Sequence, residues 1–221
     1  MKHMKQFTHI DTIKHNLNRV EADGKRFYVT PEGEQYPSVT TVTGWAKREF
    51  FAKWRKENPV ESARACTRGN RFHSLVENYL NNELPERSSI NFADLFLFSQ
   101  AEPLINRIDN IHLLETSLWS DKMGLAGRVD CIAEFDGKLS VIDFKSAGKE
   151  KSEKDITEYF MQATAYAVMY EERYGIPIDN IVIIISSEDG MTQLYQKNPL
   201  EFVPYLLEAI TEYMNGVITV S

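Results

Sequence analysis

The stretch Gly127-Arg-Val-Asp-Cys-Ile-Ala-Glu-Phe-Asp-Gly-Lys-Leu-Ser-Val-Ile-Asp-Phe-Lys145 decides how this chain is read. Asp136-Gly137 between two extended, alternating runs is the signature of a two-residue type I′ hairpin, because both turn positions need positive φ. With those residues as the loop, Phe135 pairs with Lys138, and counting back along both strands sets Asp130 opposite Asp143 and Arg128 opposite Lys145. Val129, Cys131, Ala133 and Phe135 then share an apolar face with Ile142 and Phe144, while the acids and Lys145 point the other way. Directly opposed carboxylates have Cβ atoms about 5 Å apart and repel. The arrangement persists where a proton or cation lies between them. Two aspartates with room for water form a hard-oxygen site suited to Mg²⁺ or Mn²⁺. An ammonium at Lys145, on the same face, can orient water or stabilise charge building on a phosphate. The alternative is a solvated strand face of mixed charge.

Working outward, three strands are predicted at about 111–120, 125–135 and 138–146, then a helix over about 153–174, strands at 180–187 and 191–196, and a helix over 199–215. Upstream, Arg26 to Thr30 and Gln35 to Val42 read as a hairpin around Pro31-Glu-Gly-Glu34. Helices are predicted over 44–57, 61–82 (Pro59 separating these two) and about 91–107, the last interrupted near Pro103. Helices, a meander, then α–β–β–α implies a mixed α/β chain, a central mixed β-sheet flanked by helices.

Within the second helix, Phe72, Leu75, Val76, Tyr79 and Leu80 form an apolar stripe, with His73 and Glu77 stacked at i, i+4 beside it. That pair offers a metal ligand and a supporting carboxylate; taken alone it is more often a surface or boundary pair, and the acid pair elsewhere in the chain is what gives it interest. In the long helix Ile156, Phe160, Ala163, Ala167 and Tyr170 supply the apolar face. Gln162 and Tyr166 stand at i, i+4, and Tyr166 taken alone fits the core. Glu115, on the first strand of the meander, supports the site or pairs with a base.

The 221 residues are 43% hydrophobic and 26% charged, an ordinary globular profile that fits one domain. Cys66 and Cys131 are the only cysteines, too few for a disulfide framework, a four-cysteine zinc site or an iron–sulfur cluster. Met1 to Val20 contains no apolar signal region, and the longest strongly apolar run is Ile181 to Ile185, which sets the expectation of a cytoplasmic protein. The net charge of −7 is unevenly spread: residues 47–71 hold eight bases against three acids, whereas 150–221 hold four bases against twelve acids. A basic stripe on an acidic body suits a polyanion partner, and also describes a solvated helix face. Trp45, Phe50, Phe51 and Trp54 lie in the basic stretch; most are expected to pack inward, with one or two left to stack on bases.

The order His73…Glu115…Gly127-Arg-Val-Asp130…Asp143-Phe-Lys145…Gln162-Ala-Thr-Ala-Tyr166 resembles the RecB-like branch of the PD-(D/E)XK nucleases. With Pro37-Ser-Val-Thr40 and the helix Gly69 to Leu80, the resemblance extends over about residues 26–175, and within that branch it is to the mitochondrial-genome-maintenance exonucleases and their phage and bacterial relatives. Many superfamily members carry Glu where this chain has Asp143, but Asp is frequent in the RecB-like branch. The resemblance implies a restriction-endonuclease-like core spanning 61–196 in a single nuclease domain, with a hairpin and helical cap over 1–60 and a C-terminal helix over 197–221. It implies Mg²⁺ or Mn²⁺ held by His73, Asp130, Asp143 and the Phe144 carbonyl, with Lys145 as catalytic lysine. Gln162, Tyr166, Glu77 and Glu115 would complete the catalytic group. Contacts to DNA fall to Arg68, Arg71, Lys53 and Trp54, and to Ser38, Thr40, Arg128 and Ser146. The implied activity is exonucleolytic hydrolysis of single-stranded DNA from its ends, in recombination, repair or replication in a bacterial or phage-infected cell. A structure-specific endonuclease and a non-catalytic nucleic-acid-binding module remain open on the residues alone.

Overall fold

The computed structural model describes residues 5–22 and 24–218; the remaining residues of the expected N-terminal cap and C-terminal helix lie outside the described ones. Its centre is a five-stranded sheet in the order β4(Ile108–Ser120), β5(Leu125–Phe135), β6(Lys138–Ala147), β7(Ile181–Ser187), β8(Thr192–Lys197). Neighbours are antiparallel except β6 and β7, which run parallel. The sheet is therefore mixed, as the order of predicted elements implies. The β5–β6 turn has positive φ at both Asp136 (51°) and Gly137 (78°), and the Arg107 guanidinium donates to the Asp136 carboxylate at 3.0 Å. Phe135 pairs with Lys138 and Cys131 with Ile142, the register that the turn dictates.

Each sheet face has its own core. On one, α3(Pro59–Leu80) and α4(Phe92–Ile105) bring Phe72, Val76, Leu80 and Phe98 down on Cys131, Ala133, Phe135, Ile142 and Phe144. On the other, α5(Thr157–Tyr174) and α6(Val203–Ile218) cover Ile132, Val141, Ile181, Ile183 and Ile185 with Phe160, Ala163, Ala167, Tyr170 and Leu206. Strand β7 is buried throughout and alternates its side chains between the two cores, which is why it reads as an unbroken apolar run.

The N-terminal segment lies along the free edge of β4, with Ile10 N–H donating to Ile111 at 2.8 Å and Ser117 N–H donating to His15 at 3.2 Å. This covers a strand edge otherwise open to pairing. A small sheet of β1(Asn18–Ala22), β2(Lys25–Val29) and β3(Gln35–Pro37) follows, then α1(Val39–Thr43) and α2(Arg48–Glu57).

Several expectations are corrected. The strand expected from Gln35 to Val42 ends at Pro37, because Ser38 caps a helix, its Oγ accepting the Thr41 N–H at 3.1 Å. Strand β1 is exposed at every position and so carries no apolar alternation to reveal it. Pro103 does not interrupt α4: it sits in the last turn, where its missing N–H costs one bond. Val129 does not share a face with Cys131; it belongs to the α5-side core, so the alternation breaks between them, at Asp130. Nor do the rings of the basic stretch mostly turn inward. Trp45 packs on Tyr213, but Phe50 and Phe51 are 66% and 43% exposed.

Candidate active site

The break at Asp130 builds the site. The regular β5–β6 rows stop at Cys131 and Ile142, one residue short of the expected Asp130–Asp143 row. There the Phe144 N–H donates to the Asp130 side chain, at 3.0 Å from Oδ2. On the other edge of β5, Leu114 pairs with Cys131 and Thr116 with Val129, leaving Glu115 level with Asp130. Glu115 holds φ at 47°, a left-handed conformation that costs a non-glycine residue about 1–3 kcal/mol. Three neighbouring strands thus carry acids to one level of the sheet.

Helix α3 lowers His73 onto this group. Its Nδ1 is 3.6 Å from Asp130 Oδ2 and 4.0 Å from Glu115 Oε1. Ligand atoms of His73, Glu115 and Asp130 all lie within 4.8 Å of one another, the spacing a metal ion requires. Glu115 therefore stands beside His73 and Asp130 rather than at the periphery. Burial pulls the His73 imidazole down, but Asp130 and Glu115 outweigh it, and the group is held above its ordinary value. Arg128 Nε lies 2.8 Å from Glu115 Oε2. Glu77, a turn further along α3, is raised above the usual carboxylate range by burial and by Glu115.

Asp143 and Lys145 form the sealed part of the site. Lys145 Nζ donates to Asp143 Oδ1 at 2.6 Å and stands 5.1 Å from the Tyr159 ring centre. Nζ is equally 2.6 Å from Asp143 Oδ2, so one ammonium serves both oxygens of the buried carboxylate. Burial pushes the Asp143 carboxyl up to about 6, with Asp130 adding to the rise and the Lys145 ammonium opposing it. Burial lowers the Lys145 ammonium too, but Asp143 and Asp130 prevail and hold it above its ordinary value, so it remains protonated.

Helix α5 closes the site from below. Tyr166 is buried and hydrogen-bonded to Gln162, and burial followed by Asp130 raises its phenol well above the ordinary value. A Cβ on Gly127 would stand 2.6 Å from the Tyr166 hydroxyl, so only glycine leaves room for the ring there. Tyr159, Gln162 and Tyr166 follow i, i+3, i+7 spacing. That periodicity was visible in the sequence and could have added Tyr159, which the sequence reading leaves out.

Among the expected DNA contacts the structure divides. Ser38 is buried and its hydroxyl is consumed in capping α1, so it does not face a ligand. Arg68 Nη1 pairs with Glu188 Oε2 at 2.7 Å, and Arg64 reaches the same carboxylate at 2.9 Å. Glu188 lies 120 residues from Arg68, and no local pattern announces it. Arg71 is 3.7 Å from Asp94, and Lys53 is 3.9 Å from Glu57 on the exposed side of α2. Trp54 lines a groove with Phe50 and Phe51, Thr40 is exposed beside another groove, and Ser146 lies across from Gly69 of α3. No helix among the described residues is long and apolar enough to cross a membrane.

Comparison with known proteins points the same way. A family model of the PD-(D/E)XK nuclease superfamily matches residues 45–213. Mitochondrial genome maintenance exonuclease 1 of Homo sapiens is 26% identical over 172 residues, covering 70% of this chain and 50% of that protein. Its counterpart in Xenopus tropicalis is 27% identical over 176 residues, covering 70% and 49%. The chain thus spans about half the length of the curated relatives it matches. A crystal structure of a candidate exonuclease from Eubacterium rectale overlays with a TM-score of 0.45 at 15% identity, covering 71% of this chain and 66% of that one. The family match runs through most of the chain and takes in His73, all three acids of the sheet, Lys145 and the α5 pair, and the chain belongs to the PD-(D/E)XK nuclease superfamily.

Proposed function

We propose that this chain is a Mg²⁺- or Mn²⁺-dependent exonuclease that hydrolyses the phosphodiester bonds of single-stranded DNA from free ends, within one nuclease domain. The observation that carries the reading is the sealed Asp143–Lys145 pair beside the His73, Glu115 and Asp130 group. The donor set fits a hard divalent cation: clustered carboxylates and one imidazole beside the buried Asp143 carboxylate. Asp130, Asp143, His73 and the Phe144 carbonyl would hold it, with Glu115 as a further oxygen donor. Bound there, such a cation supplies Lewis acidity toward the phosphate and makes water a better nucleophile near neutral pH.

The remaining work belongs to the side chains. Lys145, kept protonated by two carboxylates, donates to the oxygen that gains negative charge as the phosphate is attacked. Asp143 fixes that ammonium in place before substrate arrives, so little reorganisation is needed. Tyr166 and Gln162 hold the floor beneath Asp130, Arg128 keeps Glu115 oriented, and Glu77 adds a further carboxylate beside Glu115. Arg71, Lys53, Trp54, Thr40, Arg128 and Ser146 would contact the strand on its way in. Ser38 and Arg68 act behind them, through the α1 cap and the Glu188 pair. The exonuclease names of the relatives support action at ends, and a role in recombination, repair or replication follows from such an activity.

The test is a time course on end-labelled linear and covalently circular single-stranded DNA in Mg²⁺, Mn²⁺ or EDTA, with Lys145→Ala alongside. Progressive loss of the linear strand alone, dependent on metal and on Lys145, is expected. Cutting of the circle would replace the reading with an endonuclease, and no cleavage of either would leave a binding module.

A further inference from the structure

Helix α2 buries none of its residues, yet it carries three aromatic rings. Phe50 and Phe51 meet edge to face at 5.3 Å and, with Trp54, form one wall of a groove of about 500 Å³. Gly148, Lys149 and Lys151, the segment that leaves the end of β6, also line it, together with Glu61, Ala65 and Arg68 of α3. Large exposed apolar surface gains nothing for the folded chain by itself, and three rings beside three cations and one carboxylate call for a ligand with an apolar face and an anionic group.

The groove is anchored to the site. Gly148 stands three residues beyond Lys145 on the same strand end. Arg68 also lines the groove, and a Cβ at Gly148 would lie 3.8 Å from its Nη1. Glu188 holds Arg68 there at 2.7 Å, and is itself fixed to the same segment by its N–H, which donates to the Ala147 carbonyl at 3.0 Å. Glu188 is thus a positioning residue for a cation at the end of the groove nearest β6.

We infer that this groove binds one unpaired nucleotide next to the bond being cut, its base stacked on Phe50, Phe51 and Trp54 and its phosphate held by Lys149 and Lys151. This rests on the nuclease reading above and extends it to a subsite. A paired base offers no free face to such rings, so the groove favours a single strand over duplex.

The experiment reads binding rather than cleavage. Labelled oligothymidylate, and a series with one abasic residue walked along it, are titrated with protein by fluorescence anisotropy in EDTA and in Ca²⁺. One abasic position should weaken binding about 10-fold, the magnitude of one base–aromatic stack, with the others near neutral. That penalty should vanish in Phe50→Ala/Phe51→Ala, whose exposed rings can be truncated without emptying the core; unchanged melting checks this. Lys149→Ala/Lys151→Ala should lower the slope of log Kd against log salt by about 1.4 for a single strand. A flat walk, a penalty that survives in the double phenylalanine variant, or no affinity for the single strand would overturn the inference. Position-specific binding without metal-dependent cleavage would sink the nuclease reading alone; cleavage with a flat walk would sink the groove alone.

Discussion

Two carboxylates, one on helix α5 and one on the central strand β6, are treated in opposite ways. Glu172, beside the β4–β5 turn, accepts from Ser120 Oγ at 2.5 Å, from the Asp121 N–H at 3.0 Å and from Arg173 at 2.8 Å. Burial would raise it, but those hydrogen bonds hold it below the usual carboxylate range. Asp143 has Lys145 alone, its Nζ 2.6 Å from both carboxylate oxygens, and burial pushes it up to about 6. Three donors from three residues offset the burial of Glu172, whereas Asp143 relies on one ammonium. A buried acid held by a single cation and crowded by Asp130 is the kind of perturbed group that clusters at functional sites.

The contrast is broken most forcefully at Lys145. Lys145→Ala is expected to lower the cleavage rate by roughly 10²–10³-fold or more while leaving affinity for a single strand largely intact, measured by single-turnover cleavage and anisotropy. Loss of binding instead would make the lysine a phosphate anchor. The companion change Asp130→Asn keeps an acceptor for the Phe144 N–H and relieves repulsion; it should remove cleavage without lowering Tm.

Gly127→Ala should cost about 1–3 kcal/mol, because the new methyl group collides with the Tyr166 hydroxyl. Thermal melting should show a drop of about 2–4 °C per kcal/mol. Tyr166→Phe in the same chain should recover part of it, and no recovery would place the strain elsewhere.

Glu172→Gln should destabilise by about 1–2 kcal/mol at pH 7, since charge-assisted bonds become neutral ones. The folded carboxyl titrates below its unfolded value, so its contribution is present above the unfolded value and fades as pH falls through the folded one. Urea unfolding of both proteins should therefore differ at pH 7 and converge toward pH 3. The smallest effect is expected at Arg71: Arg71→Ala should reduce the salt slope of single-strand binding by about 0.7, and an unchanged slope would remove it from the strand's path.

Much of this was legible in the chain. The Asp136-Gly137 turn alone sets the β5–β6 register, and helical periodicity marks the buried face of α3, whereas α5 is buried at every position from Phe160 to Ala167. The same regularity misleads at Asp130, where the ideal ladder sets Asp130 squarely against Asp143 and puts Val129 with Cys131. Glu115, level with Asp130 on β4, holds a left-handed φ that no residue preference foretells. Ser38 looked like a surface contact because a capping serine and a ligand-binding serine are the same residue until the helix is seen.

The sequence by itself determined the elements of the central sheet and the helices that pack on it, the hairpin register and the family-specific order of acids, lysine and α5 pair, because turn chemistry and periods of 2 and 3.6 residues act locally. Tertiary structure decided that Glu115 joins His73 and Asp130, that Asp143 is buried against a single ammonium, that Arg68 answers to Glu188, and that the α2 rings share a groove with Lys149 and Lys151. These depend on which distant groups meet and on how much water they lose, and both are properties of the packed chain.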